Sequence, residues 1–240
     1  GAAVSLLVTG QVDRIVINDL DPAVFAFWDA VVRDPDYMRR CVESVALSVT
    51  EWRKQREVYL AGAEGGDASA LGFATLYLNR TNHSGVLNAG PIGGLDQTGS
   101  YKIDARFNRR DLSERLRVLS LYADRMRVTC RDGLGIIEDY ASWDDVLVYA
   151  DPPYFEKAGS LYLNAFRSDD HQALAAALNR VADSRWLLTY DNVPDVKRLY
   201  PERRRRLFEL NYSAHRVVRA TEVAVISDAL ADIEEGWPLR

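Results

Sequence analysis

Asp151-Pro152-Pro153-Tyr154 follows directly on the apolar run Val146-Leu147-Val148-Tyr149-Ala150. Four to five β-branched and aliphatic residues read as a buried strand of a parallel sheet, and ligands of open α/β sheets sit beyond the carboxyl ends of such strands. The residue types suit the exocyclic amine of a nucleobase. Such an amine carries two N–H donors and a lone pair withdrawn into the ring, so it attacks poorly unless fixed acceptors oppose the withdrawal. Asp151 supplies a carboxylate, and the Pro152 carbonyl supplies a second acceptor on backbone stiffened by two prolines. Tyr154 offers an aromatic face for stacking, and a base that reaches it must first leave its duplex. The plainer reading of the same string is an Asp-Pro turn that ends a strand.

Upstream stands Tyr77-Leu78-Asn79-Arg80-Thr81-Asn82-His83-Ser84-Gly85, then Ala89-Gly90-Pro91-Ile92-Gly93-Gly94 and Arg106-Phe107-Asn108. With the Asp-Pro-Pro-Tyr string behind them, these stretches resemble the Dam-like (class alpha) DNA N6-adenine methyltransferases over nearly the whole chain. The Asp-Pro-Pro-Tyr string alone is shared with other amino-methyltransferases, whereas the pair of motifs in this order is far more specific. The resemblance implies Asp151, Pro152, Pro153 and Tyr154 as catalytic residues, S-adenosylmethionine as cofactor and double-stranded DNA as substrate. His83 and Ser84 stand where that family often has an aromatic and an amide that enter the DNA helix. A recognition site other than GATC is therefore expected.

Residues 79–110 hold Arg80, Lys102, Arg106, Arg109 and Arg110 against Asp96 and Asp104, a basic excess in a chain of net charge −5. Gly85, Gly90, Gly93, Gly94 and Gly99, with Pro91, give that stretch the composition of a flexible loop able to approach a phosphate chain. Arg80, His83, Ser84, Lys102, Arg106 and Asn108 are the candidate DNA-contacting residues; a solvated loop with ordinary charges is the alternative. The overall acidity argues against indiscriminate polyanion binding and leaves room for such a local face. No apolar stretch approaches the ~18 residues of a membrane span, and no basic leader precedes an apolar segment, so a cytoplasmic protein is expected. Cys41 and Cys130 are too few and too far apart for a disulfide framework, and His83, His171 and His215 are scattered singly. No metal is expected.

The elements that must position these groups follow an α/β pattern. With 240 residues, 48% of them apolar, the chain has room for one α/β domain with a substantial insertion, or for two small domains. Residues 14–17 form a short buried strand, and Asp21-Pro22 opens a helix through Phe25, Trp28 and Val32. The strand-helix alternation then stops. Asp34-Pro35 opens one helix, Thr50 caps another, residues 62–66 are a glycine-rich linker, and Phe73, Leu76, Tyr77 and Arg80 recur at helical spacing. The alternation resumes with a helix opened by Asp111, with Glu114 in the capping-box position and Leu112, Leu116 and Leu119 facing inward. Strands are predicted at 127–130, 146–150, 185–189, 206–210 and 222–226, and a helix over 168–181 with Ser168 as its cap. This describes a Rossmann-like methyltransferase sheet from residues 1–32 and 113–240, with 33–112 as an inserted, mainly helical and loop target-recognition region.

An acidic residue that ends a strand roughly 20 residues past a glycine turn commonly binds a ribose hydroxyl pair. Asp19 stands 18 residues after Gly1, which makes Gly1 the expected last residue of such a turn and Asp19 the ribose ligand. The resembled family places an acidic residue here on the cofactor's ribose, but its F-x-G-x-G element and lysine-bearing segment are absent, so weak cofactor binding is expected. Asp19 alternatively only helps the cap at Asp21. Asp132 matches the family position that hydrogen-bonds the cofactor's adenine amino group, or is an ordinary loop aspartate. Tyr190-Asp191-Asn192 either lines the base site or forms a turn, and Arg203 to Arg206 either meet phosphates or form a solvated edge. Phe155 extends the stacking surface of Tyr154, as a DNA-contacting residue, or joins the core.

The expected reaction is methyl transfer from S-adenosylmethionine to N6 of a flipped adenine at a specific DNA site, with a cognate restriction enzyme as a further partner. Cytosine N4 or a non-nucleic-acid amide is the alternative substrate on the same fold; a Ser or Asn at the position of Asp151 would have favoured it. A catalytically idle DNA-binding remnant is the alternative of another class, and the absent glycine element favours it.

Overall fold

A computed structural model describes residues 1–62, 66–155, 166–214 and 216–230. The expected linker at 62–66 lies partly, and His215 wholly, outside the described residues. The chain divides into two compact units, Gly1–Arg131 and Asp132–Arg240.

The first unit runs α1 (Ala2–Val8), β1 (Ile15–Asn18), α2 (Pro22–Arg33), α3 (Pro35–Ser44), α4 (Val49–Ala61), α5 (Ala68–Thr81), α6 (Arg109–Ser120) and β2 (Met126–Thr129). β1 and β2 pair in parallel, with Ile15 opposite Met126 and Asn18 opposite Thr129. One side chain clasps their carboxyl ends. Asn18 donates from Nδ2 to the Arg131 carbonyl at 2.8 Å, and its Oδ1 accepts from the Thr129 hydroxyl at 2.8 Å and the Arg131 N–H at 3.1 Å.

Asp21 and Asp34 cap α2 and α3 as the Asp-Pro pairs predict, accepting from the Ala23 and Tyr37 amides at 2.8 and 2.9 Å. Two other caps fall earlier than expected. Ser48, not Thr50, caps α4 through the Glu51 amide, and Asn108, not Asp111, caps α6 through the Asp111 amide, both at 3.1 Å. Thr50 and Asp111 already lie within the first helical turn, whereas a capping side chain must sit ahead of it to reach the free amides. Glu114 consequently forms no capping box and pairs with Arg117 on the exposed face. The short helix α1 was not foreseen; it has neither a side-chain cap nor an acidic first turn.

Small residues let α2 and α5 come close. Ala23, Ala26, Ala30 and Val31 of α2 share one core with Met38, Trp52, Leu71, Phe73, Ala74, Leu78, Leu112 and Leu116. The helices between residues 35 and 81 are therefore packed into the same core as α2 and α6. At the crossing, a Cβ added to Gly72 would lie 2.4 Å from the Ala26 carbonyl oxygen and 3.1 Å from Ala30 Cβ. Arg109 helps fix α3, donating one guanidinium N–H to the Val42 carbonyl at 2.6 Å and another to the Val45 carbonyl, at the helix end where a positive charge is favoured.

The second unit runs α7 (Gly133–Tyr140), β3 (Val148–Ala150), α8 (Ser168–Arg180), β4 (Trp186–Asp191), α9 (Pro194–Leu199), β5 (Arg204–Ala214) and β6 (Arg216–Ile226). The strand order is β3-β4-β6-β5, with β3 parallel to β4 and β6 antiparallel to both β4 and β5. Residue 167 rather than Ser168 takes the cap position of α8, where Asp170 accepts from the Arg167 amide at 2.8 Å.

Alternation along these strands sorts the side chains between two faces. Val148, Ala150, Trp186, Leu188, Tyr190, Val223 and Val225 pack with Leu174 and Leu178 of α8. Tyr149, Thr189, Asp191 and Glu222 belong by the register to the opposite face. β3 is accordingly not the continuously buried strand expected from its composition. Leu147 and Tyr149 are 45% and 41% exposed, while only Val148 and Ala150 pack against the core.

Replacing Gly72 by Ala is expected to destabilise the protein by about 2 kcal/mol, because overpacking against Ala26 backbone outweighs the ~1 kcal/mol that Ala contributes to a helix. Urea denaturation of the two proteins measures this, and an unchanged or higher midpoint would contradict the close crossing.

Candidate active site

The polar face of β3, β4 and β6 holds the Asp-Pro-Pro-Tyr segment at two points and the following residue at a third. Thr189 donates its hydroxyl to Asp151 Oδ1 at 2.8 Å. Its single proton is thereby used, so the Tyr149 hydroxyl, 3.0 Å from Thr189 Oγ1, is the donor in that contact. Tyr149 orients Thr189, and Thr189 orients the carboxylate. The Tyr154 hydroxyl donates to Glu222 Oε1 at 2.6 Å, and the Phe155 amide donates to Asp191 Oδ1 at 2.9 Å. Asp191 and Glu222 are directly opposite each other across β4 and β6.

Asp151 stays solvent-exposed at the end of β3, yet the surrounding protein raises its proton affinity above the ordinary carboxylate value. Desolvation is the main cause; the Thr189 hydrogen bond opposes it, and the nearby Glu222 charge adds to the rise. A carboxylate of this kind gains by meeting a hydrogen-bond donor or a developing positive charge. The peptide bonds around Pro152 and Pro153 are trans.

Phe155 is half-buried and packs against the core of the second unit. Its ring stacks on His171 at 4.3 Å between centroids, and His171 is 2% exposed. His171 Nδ1 lies 2.6 Å from the Tyr190 hydroxyl, and burial holds the imidazole below its usual pKa. Tyr190, fully buried on the core side, does not line a base site; its neighbour Asp191 is the residue that faces the motif. Arg203 and Arg205 serve the protein itself: Arg203 bonds Asn179 at 3.0 Å and pairs with Asp228, and Arg205 donates to the Tyr200 carbonyl at 2.8 Å.

In the first unit, Asp19 follows the clasped end of β1 and is half-buried. Its Oδ1 accepts from the Asp21 amide at 2.9 Å, and burial raises its proton affinity. In the second unit, Asp132 is exposed and caps α7 through the Leu134 amide at 2.8 Å. Each aspartate thus performs the local turn or cap role through Oδ1. Gly1 precedes α1, and a Cβ there would meet nothing within 4 Å. Among the described residues, no three His, Cys, Asp or Glu side chains gather as a metal-ligand set, and no helix is long and apolar enough to cross a membrane.

The stretch after α5 is a braced loop, not the loose one its glycines suggested. Asn82, buried, accepts from Trp52 Nε1 at 2.6 Å and donates to the Val86 and Leu87 carbonyls at 2.9 Å. Gln97 bonds the Ile92 and Gly94 carbonyls and accepts from the Ile103 amide. Gly93, at φ 87°, comes so near that a Cβ would lie 2.7 Å from the Tyr101 carbonyl. His83 and Ser84 are exposed on this frame, Ser84 at φ 55°. Lys102 donates to the Gln97 and Gly99 carbonyls at 2.7 and 3.0 Å, and Arg106 to the Asn82 carbonyl at 3.4 Å. Arg80 is half-buried, and desolvation together with Arg106 and Arg115 weakens its hold on its proton. Asn108 has its Oδ1 committed to the α6 cap.

Residues 149, 189 and 222 were not singled out from the sequence. The alternation Thr189-Tyr190-Asp191 next to apolar residues was the available signal for the first contact face. Nothing local marks Glu222 as a partner of Tyr154, 68 residues earlier.

Because the native carboxyl of Asp151 binds its proton more readily than the unfolded one, ionising it costs stability as pH rises from about 3.9, the unfolded value, through the raised native value. Asp151→Asn, which keeps an acceptor for Thr189, is therefore expected to be more stable than the parent at pH 7. The gain should vanish below about pH 4, where both carboxyls are protonated. Urea midpoints of the pair at several pH values test this, and a less stable variant at pH 7 would contradict the assignment.

No curated protein matches the chain. The family model of D12 class N6 adenine-specific DNA methyltransferases matches residues 1–218. That span includes the clasped strand ends, the braced loop, Asp151 to Tyr154, Thr189 and Asp191, with Glu222 just past it. Members of the family are Rossmann-like and take their methyl group from S-adenosylmethionine. With nine-tenths of its length matched, this chain belongs to the D12 class of N6 adenine-specific DNA methyltransferases.

Proposed function

We propose that methyl transfer to a flipped adenine is carried by Asp151, the Pro152 carbonyl and Tyr154, with Pro153 stiffening the segment. The hydrogen bond from Thr189 to Asp151 supports this most, since it fixes one carboxylate oxygen in direction beside a tyrosine that is itself anchored. S-adenosylmethionine supplies an electrophilic methyl group when bound. The bond from adenine N6 to that carbon would form as the carbon–sulfur bond breaks and leaves a neutral thioether, so the positive charge passes from sulfur to nitrogen. Asp151 and the Pro152 carbonyl accept the two N–H bonds and stabilise that charge, after which N6 gives up one proton to solvent. Tyr154 stacks against the base, so much of the rate comes from holding the amine in line.

The residues proposed to hold the cofactor are Asp19, for the ribose hydroxyls, Asp132, for the adenine amino group, and Gly1 ahead of α1. Both carboxylates suit hydroxyl and amino donors, and each follows the end of a parallel strand in the chain. Residues 1–32 and 113–240 are proposed as the catalytic region and 33–112 as the target-recognition region. There, His83 and Ser84 would enter the DNA at the target site, while Arg80, Lys102, Arg106 and the amide of Asn108 would meet the backbone. The exposure of His83 and Ser84 on a braced frame supports that placement. A target sequence other than GATC, a cytoplasmic site of action and a cognate restriction enzyme complete the proposal.

Asp151→Ala is expected to lower turnover at least ~100-fold with nearly unchanged DNA affinity, because the lost interaction strengthens only in the transition state. Tritiated methyl transfer and DNA titration separate the two quantities, and substantial methylation by the variant would overturn the assignment. His83→Ala should shift sequence preference or the flipping step, with cofactor affinity retained. Methylation mapping checks this; unchanged preference together with an unchanged rate would remove His83 from the DNA contact.

A further inference from the structure

Glu222 is 5% exposed and lies directly opposite Asp191 across β4 and β6. Two like charges at such positions oppose folding, and a buried carboxylate opposes it further. Both acidic side chains nevertheless receive a donor from the same short segment, Asp191 from the Phe155 amide and Glu222 from the Tyr154 hydroxyl. The second contact, at 2.6 Å, has the short length of an O–H bond to a charged acceptor. The para oxygen lies on the Cβ–Cγ axis, so a tether there stops rotation about Cα–Cβ and fixes the ring's long axis, while the phenol O–H, held in the ring plane by conjugation, turns that plane toward its acceptor.

We propose that Glu222 is a positioning residue, which acts through Tyr154 by holding the phenol oxygen so that the ring presents its face to the target base. This rests on the proposed function, in which Asp151 accepts the target amine beside a Tyr154 that stacks on the base. Asp151 is fixed from β4 by Thr189, and the ring is fixed from β6 by Glu222, so acceptor and stacking platform are set by two neighbouring strands. Without the tether the ring's long axis loses this restraint, and small misplacements of a bound reactant cost up to roughly 100-fold in rate.

The test measures tritiated methyl transfer onto adenine of unmethylated genomic DNA by the parent, Glu222→Ala, Glu222→Gln, Tyr154→Phe, the Glu222→Ala/Tyr154→Phe double variant and Asp151→Ala. Glu222→Ala and Tyr154→Phe should each lower kcat about tenfold, with KM for S-adenosylmethionine little changed, and the double variant should lose no more than the poorer single, as expected for two ends of one contact. Glu222→Gln keeps an acceptor for the phenol and should retain most of the rate. Full kcat in Glu222→Ala, losses that multiply in the double variant, or a Glu222→Gln as impaired as Glu222→Ala would each overturn the proposal. If Glu222→Ala does not fold, the proposal stands only when Tyr154→Phe loses turnover and Glu222→Gln does not. Asp151→Ala distinguishes the two levels: activity in that variant removes the underlying assignment, whereas its inactivity beside a fully active Glu222→Ala removes only the role of Glu222.

Discussion

The register of β4 against β3 and β6 is the constraint on which the site depends. A β-strand turns successive side chains to opposite faces, so a slip of one residue would exchange the faces completely. In the observed register, Thr189 reaches Asp151, and Asp191 and Glu222 lie side by side beneath the Tyr154-Phe155 segment. With β4 slipped by one, Tyr190 would take the place of Thr189 or Asp191 on the polar face, and the Asp191 carboxylate would turn toward the apolar core. The burial of Trp186, Leu188, Tyr190, Val223 and Val225 resists that slip. Packing on one face therefore fixes the direction of hydrogen bonds on the other.

The polar face is not arranged for stability. Asp151, Asp191 and Glu222 bring three carboxylates to the same side, and the neighbouring Glu222 charge is one cause of the raised proton affinity of Asp151. What these groups provide is fixed direction: each contact ends on an atom of the Asp-Pro-Pro-Tyr segment or the residue after it. The first unit treats its loop in a similar way. Asn82 and Gln97 use their amides to hold loop backbone, and Lys102 and Arg106 also donate to carbonyls, so the exposed His83 and Ser84 stand on ordered backbone.

Much of this architecture could be read from local signals, because those signals act locally. Asp21-Pro22 and Asp34-Pro35 start helices where expected, since the capping oxygen and the proline both act within one turn. The strand-helix-strand passage from β3 through α8 to β4 followed from periodicity. Thr50 and Asp111 do not serve as caps because Ser48 and Asn108, nearby and equally able to accept, precede the first helical turn. The Asp-Pro-Pro-Tyr string stands out in the sequence as a candidate site, but its supports do not. Thr189 and Glu222 are 38 and 68 residues from their partners, and only strand pairing brings them together. Gly72 gave no sign of its close approach to Ala26, since a glycine within a helix reads as a weakness until the neighbouring helix is in view.

In the proposed mechanism Asp151 accepts the target amine while Tyr154 carries the ring. This is tested most directly by a crystal structure of the protein with an unreactive S-adenosylmethionine analogue and a duplex containing its mapped recognition site. The expected complex has an adenine turned out of the helix, its N6 within about 3 Å of both an Asp151 carboxylate oxygen and the Pro152 carbonyl, and its ring stacked on Tyr154. An extruded adenine whose N6 is held by other groups, with Asp151 still bound only to Thr189, would contradict it.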